Sequence, residues 1–387
     1  MSRQHSHLAS AINVLASYKP GEPLVHHLKR FFAANKKYGS KDRKQIASLC
    51  YNYFRTGNSL KNKSTEERIV ASTFLCSSSS NDFLEEMNPT FNDSVTKSKA
   101  KKIASLQITS DDFFPFKNEL GEEIHKDNFA LSFLEQPHFF LRIRPGKEIE
   151  VIEKLTENKI PFEEITTSCV ALQQGFKTEQ FFALNKDLVV QDCNSQRVFN
   201  YLQRQDVYLK KDIKVWDCCA ASGGKSILLY DILHGHVDLQ VSDVRVNILN
   251  NLRNRFKEAG IKKYNAFKAD LMQKDGLKIS DKFDVIICDA PCSGSGTWAR
   301  TPEQLSFFKK DKIDEYAVMQ LKIASTAIRY LNKQGLFFYI TCSAFKKENE
   351  AIVHQLKENF SLQVLHMEYL IGYETFADTM FVAVLSK

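Results

Sequence analysis

Apolar positions along the chain follow two different rhythms. In LVHHLKRFFAANKKY (24–38) and SKDRKQIASLCYNYFR (40–55) they recur every three or four residues, the spacing of an amphipathic helix, and Ser40 is placed to cap the second. Residues 1 to about 70 therefore read as helical. Between Cys76 and about Ile124 the period fades, and SSSS, NPTFNDSVTKSKAKK and DDFFPF read as linkers and irregular connections. PHFFLRIRP, KEIEVIEKLTENK and FEEITTSCVALQQ then predict strand, helix and strand, a small α/β module.

Beyond that module, short apolar runs alternate with helical periods. KVWDCCA, LQVSDV, NAFKAD, FDVIICDAP, GLFFYITCS, SLQVLHMEY and MFVAVLSK predict strands. SILLYDIL, NILNNLRNRFKEAG, EYAVMQLKIASTAIRYL and ENEAIVHQLKEN predict helices. Such alternation implies α/β architecture, a doubly wound and mostly parallel sheet with helices on both faces. The last two strands follow one another without a helix between them, so one is expected to be antiparallel. The expected organisation is a helical region over 1–130, a small α/β module over 138–185 and an α/β domain over 187–387.

Sheets of this kind bind ligands at the carboxyl ends of their strands. After the first strand of the large domain stands DCCAASGGKS, in which Gly223 and Gly224 open a helix and let backbone approach a ligand. This is not a P-loop, because Cys219 occupies the place of the first glycine, and the G-x-G-x-x-G of dinucleotide sites is absent. An ordinary tight strand-to-helix turn would look the same in isolation. Asp243 ends the second strand about twenty residues on, where an acid accepts hydrogen bonds from ribose. Asp270 and Asp289 end the next two. One carboxylate after a strand is usually a cap or turn former; four in register, at 217, 243, 270 and 289, point to a nucleoside pocket without a phosphate grip. S-adenosylmethionine, with ribose and adenine but a sulfonium in place of phosphate, fits it. Cys292 and Cys342 follow the fourth and fifth strands. Each alone reads as structural, whereas two thiols facing one pocket read as reactive.

Composition narrows the class. With 43% apolar and 26% charged residues the 387-residue chain has the balance of a soluble globular protein. No apolar run approaches the ~18 residues of a membrane span, and MSRQHSHLAS lacks the apolar stretch of a signal peptide, so a cytoplasmic protein is expected. Nine cysteines without a C-x-x-C pair argue against a disulfide framework and against a zinc site of familiar spacing; no metal is expected. The net charge of +7 concentrates between Leu28 and Arg68, where eleven Lys/Arg face three Asp/Glu and aromatics are interleaved. That block suits RNA phosphates, and it equally suits a solvated helix face.

The motifs resemble those of the Nop/Sun (RsmB-like) class of RNA (cytosine-5) methyltransferases. D-x-C-A-A-x-G-G-K matches Asp217 to Lys225, D-A-P-C-S-G matches Asp289 to Gly294, and T-C-S followed by E-N-E matches Thr341 to Ser343 and Glu348 to Glu350. VVQDCNSQRV resembles the family's lead-in, and together these cover roughly residues 138 to 387. YGSKDRKQIASLCYNYFR more faintly resembles the family's NusB-like helical domain, and the small module a truncated RRM.

The resemblance implies a class I methyltransferase Rossmann-like fold and S-adenosylmethionine as cofactor. Donor contacts are implied for Cys219, Ala220, Ala221, Ser222, Gly223, Gly224, Lys225, Asp243, Asp270 and Asp289. It implies Cys342 as nucleophile, Cys292 as the thiol of release, Asp289 beside the base and Lys225 near the site. Ser222 stands where the family usually has proline, and Ile340 where a small polar residue is common. RNA is the implied partner, small-subunit ribosomal RNA ahead of transfer RNA, and a monomer is expected. The alternatives are an inactive RNA-binding protein with a methyltransferase-like domain and a nucleotide-dependent enzyme of P-loop type.

Overall fold

The computed structural model describes residues 2–203, 213–273, 279 and 281–387. Residues 204–212, inside the expected α/β domain, lie outside this description. The chain divides into two compact units, one formed by Met1–Leu120, His125–Gln136 and Thr297–Lys310, the other by Gly121–Ile124, Pro137–Gly296 and Asp311–Lys387.

The first unit is helical. Arg3–Ser17, Leu24–Ala34, Ser40–Arg55 and Thr65–Cys76 turn Leu8, Val14, Ile46, Leu49, Ile69 and Phe74 into a common core. Ser40 is the first helical residue and not the cap; Gly39 caps, and its N–H donates to the Asp42 carboxylate at 3.2 Å. The stretch from Cys76 to Ile124 is more regular than its sequence implies, with short helices at Asp82–Met87, Pro89–Asp93, Lys99–Ser105 and Ser110–Phe113. They are too short to display a period, and Asn81, Asn88 and Ser98 cap three of them through their side chains. Thr297–Lys310, which the sequence assigns to the α/β domain, belongs to this unit. Its Leu305 and Trp298 are buried, and the Glu303 carboxylate accepts the Leu24 N–H at 3.0 Å.

The basic block divides in two. Lys29, Arg30, Lys36, Lys37, Lys41, Arg43, Lys44, Lys61 and Lys63 are exposed. Arg55 and Arg68 are buried: Arg55 donates to the carbonyls of Phe133, Glu135 and Ala299 at 2.7–3.0 Å, and Arg68 lies 4.1 Å from the Tyr53 ring centroid. The interleaved aromatics turn inward, Phe32 and Phe54 into the core and Phe31, Tyr38, Tyr51 and Tyr53 against it. They contribute to the packing of this unit.

The second unit contains two sheets. In the smaller, strands β1 (Phe139–Ile143), β2 (Phe162–Thr166), β3 (Cys169–Leu172) and β4 (Leu188–Val190) lie in the order β2-β3-β1-β4. FEEITTSCVALQQ is thus not one strand but a hairpin, broken at the polar Thr167–Ser168. Arg142 and Arg144 of this module meet Asp231 at 2.6 and 2.8 Å, all three side chains buried.

The larger sheet comprises β5 (Ile213–Asp217), β6 (Val237–Asp243), β7 (Asn265–Lys268), β8 (Phe283–Asp289), β9 (Leu331–Thr341), β10 (Gln363–Leu370) and β11 (Met380–Ser386), in the order β10-β11-β9-β8-β5-β6-β7. The last strand, β11, inserts antiparallel between β9 and β10; the pairings among β5 to β9 are parallel. This is the expected doubly wound sheet with its antiparallel end. Ile340 is fully buried in its core, which accounts for an apolar residue before the T-C-S run. The chain runs outward from β5 through β6 to β7, then returns to β8 on the other side of β5. That reversal leaves a crevice over the strand ends, where ligands of such sheets bind.

Candidate active site

The crevice is a cavity of about 580 Å³ lined by Cys219, Ala221, Asp243, Asp270, Asp289, Cys292 and Cys342. Residues separated by 123 positions in the chain are thus gathered by the ends of five parallel strands.

One side of the cavity is formed by the turn after β5. Gly223 has φ +84°, and a Cβ there would lie 2.7 Å from the Phe256 ring, so only glycine fits. Ala221 also takes a positive φ, and its N–H donates to Asp243 Oδ2 at 3.1 Å. The other Asp243 oxygen accepts the Arg245 N–H at 2.9 Å, and the Arg245 guanidinium folds back onto both. Burial works against the Asp243 charge, but these donors hold its carboxyl below the usual range. Ser222 bonds through its hydroxyl and its carbonyl to Arg255, at 2.8 and 3.1 Å. Arg255 sits on the helix Val246–Glu258, where the sequence offered no spacing to single it out; it braces the loop at Ser222. Ala220 is buried beneath the turn, and Gly224 begins the helix Gly224–Ile232.

Asp270 lines the cavity but spends both oxygens locally, on the Met272 N–H and the Gln273 side chain. That is the behaviour of a turn former. Tyr316, Met319 and Ile323, from the helix Asp311–Ile328, complete the wall; their helical period marks them only as apolar-face residues.

On the opposite side, β8 and β9 are parallel neighbours with Asp289 opposite Ile340. The chains leaving them carry Cys292 and Cys342, both half-buried, with their sulfurs 3.3 Å apart. Gly296 joins the two exits: its N–H donates to the Cys342 carbonyl at 2.9 Å and its carbonyl accepts the Thr379 N–H at 3.0 Å. A Cβ on Gly296 would lie 1.9 Å from the Thr379 oxygen. Cys292 is pushed well above the usual thiol range, by its hydrogen bond to Cys342 first and then by burial. The Lys225 ammonium pairs with Asp289 at 2.6 Å. Burial opposes the Lys225 charge, but Asp289 and then Cys342 outweigh it and raise its pKa.

Below the cavity floor, Asp217 is buried. Ser226 donates to its Oδ2 at 2.6 Å, while its Oδ1 has no partner among the described residues, and burial raises its carboxyl to about 7. The sulfurs of Cys218, Cys219 and Cys288 lie within 4.8 Å of one another, with Cys218 and Cys219 lining the cavity, a grouping that linear spacing does not reveal. Among the described residues, no helix is long and apolar enough to cross a membrane.

The sheet order and the crevice over its switch point define a Rossmann-like methyltransferase fold. Comparison with known proteins adds the following similarities. Residues 206–372 match the family model described as 16S rRNA methyltransferase RsmB/F. The chain is 26% identical over 222 residues to the probable ribosomal RNA small subunit methyltransferase B of Bacillus subtilis (strain 168), covering 56% of this chain and 48% of that protein. The match thus spans about half the length of that relative. The crystal structure of PH0851 superposes with a TM-score of 0.71 at 17% identity, covering 99% of this chain and 98% of that one. NSun6 from Pyrococcus horikoshii, crystallised with SFG, superposes with a TM-score of 0.59 at 15% identity, covering 70% of this chain and 96% of that one. At these identities the superpositions establish the fold.

Proposed function

We propose that this chain transfers a methyl group from S-adenosylmethionine to carbon 5 of a cytosine in RNA, with small-subunit ribosomal RNA as the substrate. The observation that carries the reading is the pair of thiols at 3.3 Å, opening onto the same cavity as the glycine turn and Asp243. The residues present fit the donor: a cavity with an ionised carboxylate on its rim to accept from ribose hydroxyls, and a tight glycine turn beside it. S-adenosylmethionine supplies an electrophilic methyl group on a sulfonium.

Carbon 5 of cytosine is a weak nucleophile. Addition of the Cys342 thiolate to carbon 6 forms an S–C bond and shifts an electron pair towards carbon 5, which then takes the methyl as its bond to the sulfonium breaks. Asp289, held by Lys225, stands beside the base and steadies the ring during addition. The carbon 5 proton must then leave, and the S–C6 bond breaks to restore the double bond and the Cys342 thiolate. Cys292 is suited to that release. Before addition its neighbour Cys342 keeps it protonated; once Cys342 is a neutral thioether that influence is gone, and Cys292 ionises more readily and serves as the base. The exposed lysines and arginines of the helical unit would contact RNA phosphates, with affinity falling as salt rises.

Transfer of tritiated methyl from S-adenosylmethionine to unmodified total RNA, followed by bisulfite sequencing of the product, tests the reading. The expected result is one new 5-methylcytosine in small-subunit ribosomal RNA. Methylation confined to transfer RNA would overturn the substrate, and no incorporation with the donor bound would overturn the reaction.

A further inference from the structure

The E-N-E run after the second thiol has no part in the chemistry just described. Its first residue, Glu348, is nonetheless fully buried, an expensive place for a carboxyl unless its hydrogen bonds are satisfied. They are. Oε2 accepts the Ser293 N–H at 2.9 Å and the Gln320 side-chain amide at 2.8 Å; Oε1 accepts the Ser343 hydroxyl at 2.8 Å. Ser293 and Ser343 are the residues immediately after Cys292 and Cys342. The first of these bonds engages the amide of the Cys292–Ser293 peptide itself. Gln320 also donates to the Pro291 carbonyl at 3.0 Å, on the other side of Cys292. The hydroxyls of Ser293 and Ser343 meet at 3.1 Å. One carboxylate therefore holds the chain on the far side of both thiols, and it does so without lining the cavity.

We propose that Glu348 is the positioning residue of the two-thiol site: it fixes the exits of β8 and β9 so that Cys342 meets the base and Cys292 stays behind it in reserve. The proposal rests on the reaction proposed above for the identity of the reacting base, but the arrangement of the thiols does not. Two consequences separate positioning from mere loop stability. Glu348 touches no donor, so its loss should leave donor affinity intact while slowing chemistry, because a displacement of about 1 Å costs on the order of 100-fold in rate. Its negative charge beside Cys292 also adds to the influences that keep that thiol protonated, behind Cys342 and burial. Removing the charge should therefore redistribute reactivity between the thiols, since the thiolate is the reactive form.

The test uses the full chain with Glu348→Gln. Each protein receives one equivalent of iodoacetamide across pH 6–9, and the alkylated cysteine is located by mass spectrometry; donor affinity, single-turnover methyl transfer and thermal melting are measured in parallel. Wild type is expected to be alkylated at Cys342. In Glu348→Gln, Cys292 is expected to take a share raised about tenfold, with transfer slowed about tenfold or more and donor affinity unchanged. Wild-type alkylation selectivity and wild-type transfer rate in a folded Glu348→Gln would overturn the proposal. If wild type transfers no methyl group but Glu348→Gln still redistributes alkylation, the proposed reaction falls and the positioning role stands. Should Glu348→Gln melt below the assay temperature, Ser343→Ala, which removes one of the three bonds but keeps the charge, must still slow single-turnover transfer with donor affinity unchanged; a wild-type transfer rate there overturns the proposal too.

Discussion

The two sides of the cavity hold their key side chains by different means. On the donor side, Asp243 is fixed by a backbone N–H and by Arg245, whose side chain is 57% exposed and free to rearrange, and Arg255 braces the turn from outside. On the thiol side, Glu348, Ser343, Ser295, Thr341 and Asn349 are all fully buried and bonded among themselves, with Thr341 donating to Asn349 at 2.6 Å. Hydrogen bonds that water can replace yield gradually, whereas a buried network that loses a member leaves polar groups unsatisfied. On the proposed reading, the donor side binds and the thiol side aligns. Substitutions on the first should alter affinity, and those on the second should alter rate.

The thiols give the sharpest test of this division. Cys342→Ala should lower methyl transfer at least about 1,000-fold and abolish any covalent RNA adduct, while calorimetry still reports donor binding. Retained transfer would remove Cys342 from the reaction. Cys292→Ala should instead keep the first methyl transfer within about tenfold but block release, leaving an enzyme–RNA adduct visible as a band that survives denaturing electrophoresis. Ordinary multiple turnover by that variant would deny Cys292 the release step.

A smaller and opposite effect is expected across the cavity. Asp243→Ala should weaken donor binding about 10- to 100-fold, the worth of charge-assisted hydrogen bonds to ribose hydroxyls, with the single-turnover rate at saturating donor within about threefold of wild type. A rate loss that persists at saturation would merge the two sides of the cavity into one.

Much of this site lies open in the sequence because strand ends are local features. FDVIICDAP and GLFFYITCS declare two buried strands, and the residues following each must emerge on one edge once the strands are parallel neighbours. The antiparallel end is legible for the same reason, since no helix separates the last two strands. What escapes is whatever depends on contacts distant in the chain. Arg255 reaches Ser222 from the next helix, and Arg55 and Arg68 sit inside a basic run that composition assigns to the surface. The hairpin at Thr167–Ser168 and the short helices after Cys76 are missed for another reason: turns and caps set them, and too few residues follow for a period to emerge. Asp270 shows that register alone does not give a side chain's local bonds: it lines the cavity, yet its oxygens also accept from the Met272 N–H and the Gln273 side chain.

The least effect belongs to Asp217, which lies under the donor turn and shares its side of the comparison without reaching the cavity. Burial keeps its carboxyl protonated up to about 7, whereas in the unfolded chain it ionises in the ordinary range near 4. Between those values the folded state binds the extra proton, so this group makes folding less favourable as pH rises from about 4 to about 7, and its cost is constant above that. Asp217→Asn keeps an acceptor for the Ser226 hydroxyl and removes the titration. Relative to wild type it should therefore melt about 2–4 °C higher at pH 8 than at pH 4, while donor affinity and the alkylation pattern of the two thiols stay as they were. A melting difference that does not change with pH would mean that Asp217 folds already ionised. A change in the thiols would mean that the floor beneath the donor turn and the network behind Glu348 are one mechanical unit, and the division between binding and alignment would have to be redrawn along β5.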